Sequence, residues 1–236
     1  MINLALSLLA AAVGLVLFQL GFHFPPLASI LPGVACFMAV FLFMNRRISR
    51  RVQTLMANVQ KDLQAGRTEK AMEALRAGFA LSRWQFLLAS QLHGALGVLL
   101  YAKKQFDEAL PHLEHAFFRD WQAQSTLGAL YYHRKDHARM AAAFERAVKA
   151  GKKEGLAWSV YAYCWQKAGE NDKAQQVLAR AVEANPSDDR LKSNLAALQN
   201  KKKMKMRAYE PAFYQFHLER LPPELSGGKR VQWQRR

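Results

Sequence analysis

The sequence predicts an all-α protein: an N-terminal two-helix transmembrane hairpin, then an α-solenoid of about four helix pairs closed by a capping helix. Three observations predict it. Residues 1–45 contain no Asp, Glu, Lys or Arg. The middle of the chain repeats a pattern of small and large residues at steps of 31 and 34 positions. Composition then changes abruptly at Lys201, where a basic, aromatic tail begins. The expected division is a hairpin over 1–45, a solenoid over 46–200 with its capping helix at 188–203, and a tail over 201–236.

The hairpin comes first. Leu4–Phe24 is an apolar run of 21 residues, about 31 Å as a helix and enough to cross a hydrocarbon core. Pro25-Pro26 breaks it. Leu27–Met44 follows with 18 residues, about 27 Å long. A secretory signal peptide would open on a positive charge, and "MINLALSLL" has none in its side chains. A lipoprotein signal would place a leucine-like residue three before the cysteine, and "GVAC" has Gly33 there. Arg46, Arg47, Arg50 and Arg51 directly flank the second run. Basic residues gather on the cytoplasmic side of a span. Both termini and the solenoid are therefore expected on the cytoplasmic side of an inner-membrane-type bilayer, with the turn at His23–Pro26 on the far side. The four arginines then lie level with anionic lipid headgroups. Beyond them Ile48, Val52, Leu55, Val59 and Leu63 keep a helical spacing, so the second helix is expected to continue unbroken into the soluble part.

Charge agrees with this division. Of the formal net charge of +16, residues 52–200 contribute only +5, from 20 basic and 15 acidic side chains. The excess lies in the four arginines and the last 36 residues. This is a nearly balanced body with two basic ends, unlike a uniformly basic nucleic-acid binder. Cys36 and Cys164 sit in unrelated segments and read as separate reduced thiols.

The repeat appears on aligning "FDEALPHLEHAF", "DHARMAAAFERAVKA" and "NDKAQQVLARAVEANP". Ala109, Met140 and Ala174 coincide, as do Leu113, Phe144 and Leu178, and Ala116, Ala147 and Ala181. In the preceding segments Leu96-Gly97, Leu127-Gly128 and Tyr161-Ala162 coincide, followed by Leu100, Tyr131 and Trp165. A weaker first copy, "LQAGRTEKAMEALRAGFAL", places Ala71, Leu75 and Gly78 in register. Small residues let a partner helix approach and large ones fill the gaps between helices. "KAGEND" is expected to end one helix with Gly169 and begin the next with a capping Asn or Asp. Pro186 stops the last pair.

This pattern resembles the tetratricopeptide repeat family over residues 52–200. The last copy matches best, through Trp158, Tyr161, Ala162, Trp165, Ala174, Leu178, Ala181 and Pro186. The departures are the weak first copy, the 31-residue step and Met140 in a small-residue position. The resemblance implies a curved stack whose first helices line a concave face that takes a protein or peptide partner. By helical spacing that face carries Gln91, Tyr101, Gln122, Ser125, Tyr132, Ser159, Tyr163 and Gln166. Relatives that grip a terminal carboxylate use Lys, Arg and Asn there. Here those places are neutral, so that specialisation is not expected.

No catalytic, cofactor or metal site is expected. His112/His115 and His133/His137 have helical spacing, and Asp136 adjoins the second pair, but no third ligand completes a site. No phosphate loop or nucleophile motif occurs.

The tail opens with Lys201, Lys202, Lys203, Lys205 and Arg207, continues through Phe213, Tyr214 and Phe216, and ends on a basic cluster around Trp233. Basic and aromatic residues together suit single-stranded nucleic acid or an anionic membrane. A tethered chain favours lipid or a docked partner over RNA. Lys201–Arg207 is expected to extend the capping helix, residues 209–221 to dock on the solenoid or a partner, and residues 224–236 to be mobile. The expected function is a membrane-anchored scaffold binding a protein or peptide partner at the concave face. Two alternatives stand beside it: a subunit assembled into a larger membrane complex through its hairpin, and a tether for RNA or ribosomes through the tail.

Overall fold

Residues 2–21, 26–84, 87–220 and 222 are described in the computed structural model, helix following helix from the first of them. Among the expected features, His23, Trp233 and the segment 224–236 lie outside the described residues. The chain divides into two units, 1–96 and 97–236.

The first unit begins with two long apolar helices, α1 (Ile2–Gly21) and α2 (Pro26–Gln64). They touch where both are thin. A Cβ on Gly14 would lie 3.1 Å from Cys36 Sγ, and one on Gly33 would lie 2.7 Å from Leu15 Cγ. Small residues at a crossing let two backbones pack closely, which is how apolar helices associate without a hydrophobic drive between them. As expected, α2 passes through Arg46–Arg51 without interruption. It then packs on α3 (Thr68–Gly78), where Leu55 fills the space that a side chain on Gly78 would need. Ile48 and Val59 are buried on that side. A single-turn 3-10 helix, Phe79–Arg83, leads on to α4 (Leu88–Ala102).

The second unit takes up the end of α4, followed by α5 (Phe106–Glu114), α6 (Trp121–His133), α7 (His137–Ala150), α8 (Gly155–Lys167), α9 (Asn171–Ala184) and α10 (Asp189–Gln199). The repeat seen in the sequence is a packing repeat. A Cβ on Gly97 would meet Leu113 Cγ at 2.8 Å, and one on Gly128 would meet Phe144 Cδ2 at 2.6 Å. Ala162 and Leu178, both fully buried, occupy the same two places in the next pair. Asp120, Asp136 and Asp188 cap α6, α7 and α10 by accepting backbone N–H bonds in the first turn.

The helix ends repeat too. The N–H of Gln105, Asp136 and Glu170 donates to the carbonyl five residues back, on Leu100, Tyr131 and Trp165. The residue between, Lys104, Lys135 or Gly169, has a left-handed backbone with φ of 63, 58 or 87°. These are the helix-ending turns in which one residue must leave the right-handed region. In "KAGEND" Gly169 does end α8, but the next helix begins at Asn171 with Glu170 before it, and no side chain caps it. α10 ends in the same turn. Lys201 sits at φ 56°, and Lys202 N–H donates to Ala197 O at 2.8 Å. The tail therefore does not extend the capping helix, which stops at Gln199.

Candidate functional site

α6 and α8 are the inner helices of their pairs and lie against each other. On a bare pair stack one side of each would face water. Here Ala123–Tyr131 of α6 and Ala157–Trp165 of α8 are buried without a break. The tail supplies part of that cover.

From Lys201 the chain turns back across the unit. Lys205 N–H donates to Asn194 Oδ1 at 2.8 Å, and Met204 N–H donates to Gln166 Oε1 at 3.3 Å. Gln166 Nε2 in turn donates to Lys202 O at 3.4 Å. Two single-turn 3-10 helices follow, Met206–Tyr209 and Ala212–Phe216. Tyr209 sets its hydroxyl beside Ser159, with Arg190 over its ring at 4.7 Å. Phe213 meets the Tyr163 ring edge-on at 5.2 Å. Phe213 and Phe216 are 1% and 0% exposed, as deep as any helix residue of the core. Tyr101 Oη donates to Phe216 O at 2.5 Å, and Gln122 Nε2 donates to Gln215 Oε1 at 3.4 Å. Tyr163 Oη donates to Glu219, whose carboxylate also lies 3.8 Å from Lys167 Nζ.

Of the eight residues assigned to the partner face, Tyr101, Gln122, Ser159, Tyr163 and Gln166 meet in one place, and the tail is what they hold. Tyr132 is half-buried beside Tyr163, whose pKa it helps to raise. Ser125 is fully buried and its hydroxyl has no partner. Gln91 lies exposed on α4 in the first unit. Among the tail residues, Lys201, Lys202, Lys203, Lys205 and Arg207 are exposed, and Tyr214 bonds within the tail to Glu210 at 2.7 Å. Burial pushes the Tyr101 and Tyr163 hydroxyls above the ordinary tyrosine range, and for Tyr163 the Glu219 bond adds to it. Both are therefore neutral donors. Cys164 is buried and its thiol is pushed up by burial, which keeps it protonated.

Sequence reasoning overlooked the histidines here. His217, at the end of the second 3-10 turn, lies tilted against the Tyr101 ring at 5.5 Å and contacts Ala102 O at 3.2 Å. His133 stacks on Phe106 at 5.5 Å and bonds the Phe216 carbonyl. Burial lowers the pKa of both, partly offset by those carbonyls. His137 goes elsewhere, onto Trp165 at 5.9 Å. Its pairing with His133 at helical spacing was thus a signal of two separate aromatic contacts. Among the described residues no three His, Cys, Asp or Glu side chains converge as metal ligands.

Two openings flank the docked tail. One, of about 720 Å³, is walled by Tyr163, Gln166, Lys167, Lys202, Met204 and Glu219 among others. The other, of about 610 Å³, lies between Lys104, Phe106 and His133 on one side and Tyr214, His217 and Arg220 on the other.

The profile of the tetratricopeptide repeat matches residues 131–198, from the end of α6 through α10. A search of curated proteins found no match. Among solved structures, one described as a MamA RS-1 ArsTM double mutant is 15% identical, with a TM-score of 0.48 over 63% of this chain and 83% of that one. A match to a repeat built for protein interaction supports a scaffold role for the matched residues.

Proposed function

We propose that the protein is a membrane-anchored scaffold. In this reading the hairpin of residues 1–45 spans a cytoplasmic-type membrane, residues 46–200 form the interaction body and residues 201–236 the tail. Both termini and the tetratricopeptide repeats lie on the cytoplasmic side. The partner, a protein or peptide, binds across the face of α6 and α8 as the tail completes it. The accessible polar groups there are Gln122, Tyr132, Gln166, Lys167 and Glu219.

Three observations support the anchor. α1 and α2 are each long and apolar enough to cross a bilayer. Their leucines point outward rather than into a core, with Leu20 and Leu31 at 72% and 76% exposure. Arg47 and Arg51 share a cleft of about 240 Å³ with Leu81 and Trp84. A tryptophan beside arginines at the end of an apolar run is the composition of a membrane–water interface.

The observation that carries the partner face is the docked tail. It leaves a surface that is polar, jointly built and open on both flanks. Photo-crosslinking in native membranes tests it, with the crosslinker placed at Gln122, at Gln166 and, as a control on α9, at Gln176. A discrete protein adduct common to the first two and missing from the third is expected. Equal labelling from all three would overturn the assignment of the face.

A further inference from the structure

We propose that the tetratricopeptide-repeat unit carries its own contact for an anionic bilayer surface, centred on Phe118. This ring stands 56% exposed in the turn before α6. Outside α1 and α2, no other large hydrophobic side chain among the described residues is so open. A lone exposed apolar residue is ordinary; its surroundings are not.

Phe118 shares a cleft of about 600 Å³ with Arg119, Arg146, Lys149, Ala150 and Lys152, and no acidic residue lines it. Two chain segments meet there. A Cβ on Gly151 would lie 2.9 Å from Trp121 Cβ, so the end of α7 and the turn entering α6 are in close contact. That contact brings Lys149 and Lys152 beside Phe118 and Arg119. Arg119 lies over the Phe118 ring at 5.5 Å. Arg146 donates from Nε to Gln124 Oε1 at 2.8 Å. In the adjoining cleft Glu145 is held by Arg180 through bonds of 2.7 and 2.8 Å, and Glu183 is the other acid.

The arrangement is one protruding ring inside a collar of four cations. A ring enters the boundary between headgroups and acyl chains, while Lys and Arg remain at the phosphates. A single nucleic-acid strand would fit less well, because such grooves stack successive bases on successive rings, and this cleft has one. The inference rests on the anchoring proposed above, which holds a bilayer at high effective concentration beside the unit.

Hydrogen exchange on the full-length protein tests it, in nanodiscs of phosphatidylcholine alone and in discs containing phosphatidylglycerol. Retention in the neutral discs reads the anchor by itself, so failure of the anchor appears separately. With anionic lipid, amides of 117–121 and 149–153 should exchange several-fold more slowly, while those of the docked tail stay unchanged. The slowing should disappear in the double variant Arg119→Glu/Lys149→Glu. It should weaken in Phe118→Ser, a change at an exposed turn position whose folding is checked by its unchanged thermal melt. Equal exchange in both discs would overturn the proposal. So would protection of the same amides by a polyuridine oligonucleotide in neutral discs exceeding that given by anionic lipid.

Discussion

α1 and α8 are both apolar around most of their circumference, and they end in opposite circumstances. In α8 Ala157–Trp165 is buried without a break. In α1 the leucines at 8, 9, 17 and 20 are all exposed. A helix apolar all round must be enclosed, by protein or by lipid. α8 is enclosed by protein: α9 and α10 on some sides, α6 on another, and the tail across the rest. α1 meets α2 along one stripe, and its exposed leucines lie on the others. Similar composition thus ends in two different degrees of exposure, and what separates them is the presence of the covering segment.

Removing the cover is the largest test. Phe216 is fully buried, so Phe216→Ala should destabilise the second unit by about 3–5 kcal/mol in denaturant titrations. Gln122→Ala, an exposed position joined to the tail by a long bond of 3.4 Å, should stay within about 0.5 kcal/mol. If Phe216→Ala proved as mild, the tail would be a loose strap and α8 would not need it.

The other side of the comparison is broken with a charge. Leu9 is 64% exposed near the middle of α1. On a surface facing water, Leu9→Lys would be harmless. At the centre of a bilayer the same change costs about 2.5–3.5 kcal/mol of insertion free energy. Alkaline extraction of membranes should then release a fraction of the variant while the parent stays bound. Unchanged retention would mean that protein rather than lipid covers that face.

How much of this was legible beforehand depended on whether a feature leaves a compositional mark. The pair packing did, because Gly97 against Leu113 and Gly128 against Phe144 require a glycine facing a large residue. The capping aspartates did so less clearly: the cap expected in "KAGEND" is missing from α9, while Asp120, Asp136 and Asp188 cap other helices. The left-handed helix ends did so only in part. Gly66 and Gly169 announce theirs, whereas Lys104, Lys135 and Lys201 do the same with a residue common at any surface position. The destination of the tail was open, since its rings could be read as suited to lipid, RNA, a partner or the solenoid. Only the complementary surface, with Tyr101 and Tyr163 aimed at Phe216 O, Phe213 and Glu219, distinguishes these.

The helix ends offer a smaller, two-sided test. Gly169 is left-handed at no steric cost, and Gly169→Ala should destabilise by about 1 kcal/mol. Lys135 sits in the same conformation with a Cβ, so Lys135→Gly should gain up to about 1 kcal/mol, less the extra entropy a glycine loses on folding. Thermal melts of the two variants should therefore shift in opposite directions. Shifts in the same direction would mean that the two turns are not equivalent, despite their common hydrogen bonds.

The smallest expected effect is one of pH, and it falls on the tail alone. His217 faces Tyr101, Phe106, Lys104 and His133, and His133 faces Phe106 and the Phe216 carbonyl. Burial favours the neutral form of each, Lys104 opposes a charge on His217, and each histidine lies close to the other. Their pKa values in the docked state are therefore below the ordinary histidine value near 6.5, toward which both return when the tail is freed. Between the two values the undocked form binds more protons, so docking strengthens as pH rises through that window and weakens as pH falls. The contribution is complete above about pH 6.5 and is lost once the pH passes below the docked values. Exchange of amides in 209–220, corrected for intrinsic rates, should be faster at about pH 5.5 than at about pH 7.5. Amides in α7 should show no such change. His133→Gln/His217→Gln should flatten the dependence while keeping ring-sized polar groups at both positions. A tail that loosened at high pH instead would place its control outside the two histidines.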